Sequence, residues 1–427
     1  LKLTIIKSII IFITVSFLLT ACYDSREIDS EVYSLTIGID KGNNYNNILL
    51  TIQYPSYKGS GGSSGAGEAP TSKDSDSYDT GEVGGTVVTS VEAPSILGGL
   101  DMLNTSVPRK ISLTQTKILV FSEDYAKSGV SDSIASLARF RDTRRNMKVL
   151  VCKGKAQDFI KESKPAIGDS LSKSMDMLLT QSFNTGYSAD ESFHKFYQKL
   201  LSPYESAIAT YSGLNNGNIV TDPNSESALD DTSSIAGRIP RKGGNKWELA
   251  GSAIFKGDKM VGTLNTEETR YFLILTNNFH NGVYTIDDNK GSIITMDIHP
   301  GRKIESNSTF KNGVPYINLY INLEADVNSI QGVINYLQPD KLSYLNEKIK
   351  QNIDNSIKDL IVKTQKEFQS DIFGFGHKIS KNFKTIPEWE AYKWNERYPN
   401  LIVEIKLDVN VRRGGIMIGN SKYWNLT

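Results

Sequence analysis

The sequence predicts a multidomain α+β (mixed α/β) protein, with an N-terminal mixed module followed by a strand-rich module carrying one long amphipathic helix. Three observations support this. Its 427 residues suffice for two or three domains at about 150 residues each. Short apolar runs alternate with helical patterns between Tyr33 and Lys161, an order that builds sheets flanked by helices. Further on, apolar residues recur at steps of three or four from Leu342 to Phe368, between runs of strand length.

Taken in order, Tyr33 to Asp40 and Ile48 to Tyr54 read as strands, the second ended by Pro55. The Gly/Asn-rich stretch Lys41 to Asn47 between them has hairpin-turn chemistry. Lys58 to Gly85 holds 8 Gly, 6 Ser and no Val, Leu or Ile before Val83. Too little apolar surface is available there to offset the ordering of the chain, which predicts a disordered surface loop. Val87 to Val107 reads as a helix, with Ile96, Leu100 and Leu103 on one face. Ile118 to Phe121 and Val149 to Val151 read as buried strands, Gly129 to Phe140 and Ala156 to Lys161 as helices.

The polar, turn-rich segment 212–245 is expected to link residues 22–211 to residues 246–427. Beyond it, Ala250 to Phe255, Met260 to Leu264 and Tyr271 to Leu275 read as strands, Ile293 to Ile298 and Ile317 to Leu323 as hairpin segments. A helix from Asp340 to Gln369 carries the stripe Leu342, Leu345, Ile349, Ile353, Ile357, Leu360, Thr364 and Phe368, ended by Gly374 and Gly376. Lys348, Lys350, Asp354, Lys358, Asp359, Lys363 and Lys366 form its solvated face, and Leu401 to Val411 closes the fold as a strand.

Ahead of all this, residues 1–21 read as a signal peptide. Lys2 and Lys7 precede the uncharged run Ser8 to Ala21. That run would span about 21 Å as a helix, short of the roughly 30 Å hydrocarbon core of a bilayer. Leu19-Thr20-Ala21-Cys22 is a lipobox, in which small residues admit a peptidase and the thiol accepts a diacylglycerol. Cys22 is therefore the expected lipidation site (S-diacylglycerol, with N-acylation where added), and two or three acyl chains give stable anchoring. Only Cys152 then remains, in an apolar run that predicts a packed core thiol.

Function classes fall away in turn. The 48 cationic and 48 acidic side chains balance, which argues against nucleic acid as a partner. His194, His280, His299 and His377 are far apart in sequence and have no metal-ligand spacing, so no metal and no cofactor is expected. Gly61 to Gly65 matches a nucleophile elbow inside the Gly/Ser loop, without the strand–turn–helix context. Ser170 to Lys173 matches SxxK without a KTG box. No catalytic residue emerges, and the chain reads as a non-enzyme. Arg139, Arg141, Arg144 and Arg145 form one dense basic cluster. They read as a solvated helix end, with contact to lipid headgroups or an acidic surface as the sharper option.

Several segments together resemble the Ger(x)C family, the C subunits of nutrient germinant receptors. They are Cys22-Tyr23-Asp24-Ser25-Arg26-Glu27-Ile28, Ile37-Gly38-Ile39-Asp40, Lys117 to Gly129 leading into Arg141-Asp142, Gly251 to Gly262, Ser370-Asp371-Ile372-Phe373-Gly374-Phe375-Gly376 and Val411-Arg412-Arg413-Gly414. Tyr23 and Ser25 depart from the usual Trp and Arg of the opening, and the Lys58 to Gly85 insertion is longer than typical. The resemblance implies a mixed α/β lipoprotein on the outer face of the spore inner membrane of an endospore-forming bacterium. It would act with two membrane-embedded subunits in nutrient-triggered germination. The resemblance does not decide whether this subunit touches the germinant; the absence of a convergent polar cluster in the sequence favours holding the complex together. A substrate-binding lipoprotein of a transporter is the alternative, and it requires two α/β lobes of similar size.

Overall fold

The β-branched and apolar runs of the first half pair into one sheet. In the computed structural model, residues 4–8, 30–44, 46–56, 82–83, 85–162, 164, 171–217, 234–287, 291–331 and 339–413 are described. The strands are β1 (Glu31–Tyr33), β2 (Thr36–Lys41), β3 (Ile48–Pro55), β4 (Glu82–Val83), β5 (Thr86–Ala93), β6 (Lys110–Ser112), β7 (Ile118–Ser122) and β8 (Lys148–Cys152). After them come β9 (Ile208–Leu214), β10 (Trp247–Lys256) and β11 (Lys259–Leu264). Nine of these form a sheet in the order β11-β10-β9-β8-β7-β2-β3-β5-β4, while β1 and β6 pair separately. The centre, β2, β7, β8 and β9, is parallel, and both flanks are antiparallel.

Helices cover both faces, so the runs Ile118–Phe121 of β7 and Val149–Cys152 of β8 are apolar on both sides. Leu119, Phe121, Val149 and Val151 face one core with residues of helices Ile96–Leu103, Ser131–Arg139 and Phe193–Leu200. Their neighbours Ile118, Val120, Leu150 and Cys152 face the other, with Ala156, Phe159 and Ile160. This period of two is the pleat itself.

A second sheet has the order β12 (Gly282–Asp287), β13 (Ile293–Pro300), β15 (Val314–Gln331), β14 (Glu305–Lys311), with β16 (Ile402–Arg413) parallel on the other edge of β15. A long helix, Pro339–Lys363, lays Leu345, Ile349, Ile353, Ile357 and Leu360 into the core of this sheet. With helices on both faces of the first sheet and one long helix on the second, the architecture is the mixed α/β arrangement that the sequence predicts.

The structure corrects several local expectations. Residues Val87 to Ala93 are not helical but lie in β5, because the β-branched run Thr86 to Val91 pairs antiparallel with β3; Ser95 then caps a helix of only Ile96–Leu103. Tyr271 to Leu275 belongs to helix Thr266–Leu275, opened by an Asn265/Glu268 capping box. All ten of its residues but Glu267 and Glu268 are buried, and a helix buried on every side loses the periodicity that separates it from a strand. Glu82 and Val83, at the end of the expected loop, pair with β5; the remainder of that loop, apart from Gly85, lies outside the described residues. Segment 212–245 joins neighbouring strands of one sheet, β9 and β10. Its described part is fastened to buried Glu248, which accepts from Asn215 Nδ2, Gly237 N and Arg241 Nε.

The long helix stops earlier than Gln369. It passes through a π turn, Thr364–Phe368, and Gln369 takes a left-handed conformation (φ 49°). The next residues tie the two sheets together. Ser370 Oγ donates to the Phe255 carbonyl of β10, and Ser206 N–H donates to the Asp371 carbonyl. The Asp371 carboxylate turns inward and accepts from Phe373 N, Phe375 N, Gly376 N and Trp394 Nε1. Full burial pushes its pKa up to about 6 even though these four donors pull it down. Gly376 is needed for a steric reason: a Cβ there would lie 2.2 Å from the Tyr204 carbonyl oxygen.

Two outcomes follow for this junction. Gly376→Ala is expected to destabilise the fold by about 2–3 kcal/mol or more, since the obstacle is backbone and cannot swing away; a fall in Tm by calorimetry checks it. Asp371→Asn places an amide N–H₂ against N–H donors and is expected to lower stability at every pH. The raised native pKa means that the folded state holds a proton between pH about 4 and 6 that the unfolded state lacks, so wild type loses stability as pH rises through that window. Urea midpoints should therefore show a larger advantage of wild type over Asp371→Asn at pH 5 than at pH 7.5. An advantage that grows with pH would contradict the raised pKa.

Candidate functional site

The parallel strands give the first sheet two distinct rims. At the carboxyl rim, each strand end feeds a helix. Ser122 at the end of β7 caps helix Glu123–Ser128 through Tyr125 N. Asp40 in β2 accepts from Ala156 N (2.7 Å) and Gln157 N (3.0 Å), capping the helix that follows β8. Burial raises the Asp40 pKa, while those N–H groups hold it down. The Cys152 thiol is fully buried on this side, and burial with Asp40 nearby raises its pKa well above the ordinary thiol value. It is a packed, unreactive side chain, as its apolar run predicts.

The same rim carries an open groove of about 940 Å³, lined by the β2–β3 turn, the start of helix Ile96–Leu103 and residues Tyr125 to Ser136. Crevices beyond the carboxyl ends of parallel strands are common ligand sites. Part of its polar lining is already engaged in internal bonds. Glu92 accepts from Asn44 N, Asn43 Nδ2 and Asn47 Nδ2, and those bonds, led by the Asn44 N–H, keep its carboxyl below the usual range. Tyr125 and Ser133 share a 2.6 Å hydroxyl–hydroxyl bond, and Ser95 Oγ is taken by Gly98 N.

The amino rim is where the described fold begins. Ser30 leads into β1, which pairs in parallel with β6. Leu35, Lys117 and Lys148 stand at or beside the first residues of β2, β7 and β8 and are joined in a row, Lys117 N to Leu35 O and Lys148 N to Lys117 O. The arginine cluster lies on this rim, because helix Ser131–Arg139 runs back from the groove and its exit loop must reach the start of β8. Arg144 donates to Asn146 Oδ1 and to Gln115 Oε1, just past β6, while Arg145 donates to the Ala138 carbonyl.

Cys22, the expected lipidation site, lies outside the described residues, as do Ser170 and the Gly61 to Gly65 stretch. The four histidines are scattered. His377 meets Glu205 at 3.1 Å and stacks on Tyr204, His299 lies 3.5 Å from Glu324, His280 tilts against Phe183, and His194 is exposed. Among the described residues no three His, Cys, Asp or Glu side chains converge to hold a metal ion, and no helix is long and apolar enough to cross a membrane. Sequence reasoning missed the inward role of Asp371. The signal is the Gly-Phe-Gly spacing of 374–376, which in the sequence marks a helix stop and part of the family resemblance but no partner for Asp371.

Comparison with known proteins agrees with the geometry. Residues 24–213 match the spore germination protein N-terminal domain, and residues 250–415 match the spore germination B3/GerAC-like C-terminal domain. The chain is 22% identical to spore germination protein GerQC of Bacillus cereus over 72% of this chain and 76% of that one. It is 23% identical to spore germination protein KC of Bacillus subtilis (strain 168) over 93% of both. The crystal structure of the GerBC protein superposes with a TM-score of 0.49 at 15% identity, covering 88% of this chain and 96% of that one. The two family matches together span most of the described fold, in the order that the sequence motifs predict. The chain belongs to the Ger(x)C family of spore germination proteins.

Proposed function

We propose that the protein is the lipid-anchored C subunit of a nutrient germinant receptor. Acylated Cys22 holds it at the outer face of the spore inner membrane, and it works by assembly with two membrane-embedded subunits rather than by catalysis. The observation that carries this reading is the lipobox Leu19-Thr20-Ala21-Cys22 placed directly ahead of a chain of this family. Ser30, the first residue of the main described segment, enters at one rim of the first sheet. A tether there leaves the groove rim and the second sheet free to meet partners. The bonds that already occupy Asn43, Asn44, Asn47, Tyr125 and Ser133 in the groove lining favour a holding role over a germinant-binding one.

Cys22→Ala is expected to move the protein from the membrane to the soluble fraction of spore lysates and to slow nutrient-triggered germination at least tenfold. Spore yield and heat resistance should stay unchanged. Normal nutrient germination with an untethered chain would overturn the reading.

A further inference from the structure

Arg141 has a carboxylate neighbour in Asp142, while Arg139, Arg144 and Arg145 at the amino rim meet none among the described residues. Nearby carboxylates are already engaged: Asp176 pairs with Lys117 and Asp190 with Lys148. Arg144 and Arg145 meet only neutral oxygens, and Arg139 sits exposed at the C-terminal turn of its helix. Arg141 is 76% exposed against a half-buried Asp142 at 3.8 Å. Together these present four cationic side chains within seven residues, three of them exposed, a spread of charge suited to a broad anionic plane.

Its position selects the plane. Only eight residue steps separate Cys22 from Ser30, at most about 28 Å of extended chain. Ser30 enters beside β1 and β6, and Gln115, just past β6, accepts a bond from Arg144. The loop and the entering chain therefore occupy the same rim, so a tether at Cys22 would keep the arginines close to the bilayer. A surface potential from anionic lipid reaches only about 8 Å at physiological ionic strength, and a short tether is what brings cations inside that layer.

We propose that Arg139, Arg141, Arg144 and Arg145 form a headgroup-binding surface for anionic phospholipid, which docks the amino rim of the first sheet onto the bilayer and points the groove rim away from it. The orientation rests on the proposed acylation of Cys22.

The test uses the full lipidated chain reconstituted into vesicles of phosphatidylcholine, with or without about 30% phosphatidylglycerol. His194→Cys, exposed and bonded through its backbone N–H to the Arg145 carbonyl, accepts a fluorophore selectively because Cys152 is buried. Quenching by a headgroup-spin-labelled lipid is expected to be at least twofold stronger in the anionic vesicles. It should drop to the neutral-vesicle level in 0.5 M salt, at a Debye length of about 4 Å, or with Arg139→Glu/Arg141→Glu/Arg145→Glu. Reversal of Lys341, Lys358 and Lys366 on the long helix should leave the contrast intact, and an unchanged far-UV spectrum shows that both variants fold. Equal quenching in the two lipids, or a contrast that survives the arginine reversal, overturns the proposal. If the reversal spares the quenching and abolishes nutrient germination, the surface meets an acidic protein partner instead. Flotation separates the two readings. Flotation on anionic vesicles alone removes the anchor and keeps the arginine surface, and flotation on neither removes both.

Discussion

One buried carboxylate organises the meeting of the two sheets. Asp371 accepts from three backbone N–H groups and the Trp394 indole, while its own carbonyl receives Ser206 N–H from the segment that leads into β9. Desolvating an ion is costly, and satisfying every lone pair is what makes such a group tolerable inside a core. Three donors come from the 373–376 turn and the fourth from the Trp394 helix, so the carboxylate holds that turn and that helix against the end of the π turn in one arrangement. The aromatic layer of Tyr204, Trp389, Trp394 and Tyr398 packs around that point. Ser370 then reaches the Phe255 carbonyl of the first sheet.

The elements that could be read in advance share a property: one face is buried and the other is wet. The stripe from Leu345 to Leu360 and the helix Ser131–Arg139 kept their period because each packs on one side only. The strands around Ile118 and Val149 were legible for a different reason, being short apolar runs between turns. Where burial is complete, pattern disappears. Helix Thr266–Leu275 packs between β10 and the long helix with its apolar half, Tyr271 to Leu275, wholly buried, and that half reads as a strand. The run Val87 to Ala93 has β-branched residues but borders a helical pattern, and only the pairing with β3 decides between them. Pairing across β9 and β10 is likewise invisible in composition, since the polar segment between them looks like a linker whichever sheet its ends join.

The candidate site was partly legible. The arginine cluster stands out in the sequence, but its meaning depends on topology: the return of helix Ser131–Arg139 from the end of β7 to the start of the parallel β8 puts it on the rim where the chain enters. Cys152 was recognisable as a core thiol from its neighbours alone. The groove was not foreseeable, because its lining comes from three stretches far apart in sequence.

The placement of β16 bears on how the molecule is made. This strand, among the last described residues, lies parallel against residues 316–326 of β15, and Asn346 of the long helix takes the N–H of its Val411. Parallel partners so distant in sequence close slowly, because loop entropy is lost before the contacts form. Until residues 402–413 emerge, β15 carries an open edge along much of its 18 residues, and such an edge invites pairing with other chains. Synthesis of this protein therefore includes an interval in which the second sheet cannot finish, during which protection from aggregation must come from outside the fold.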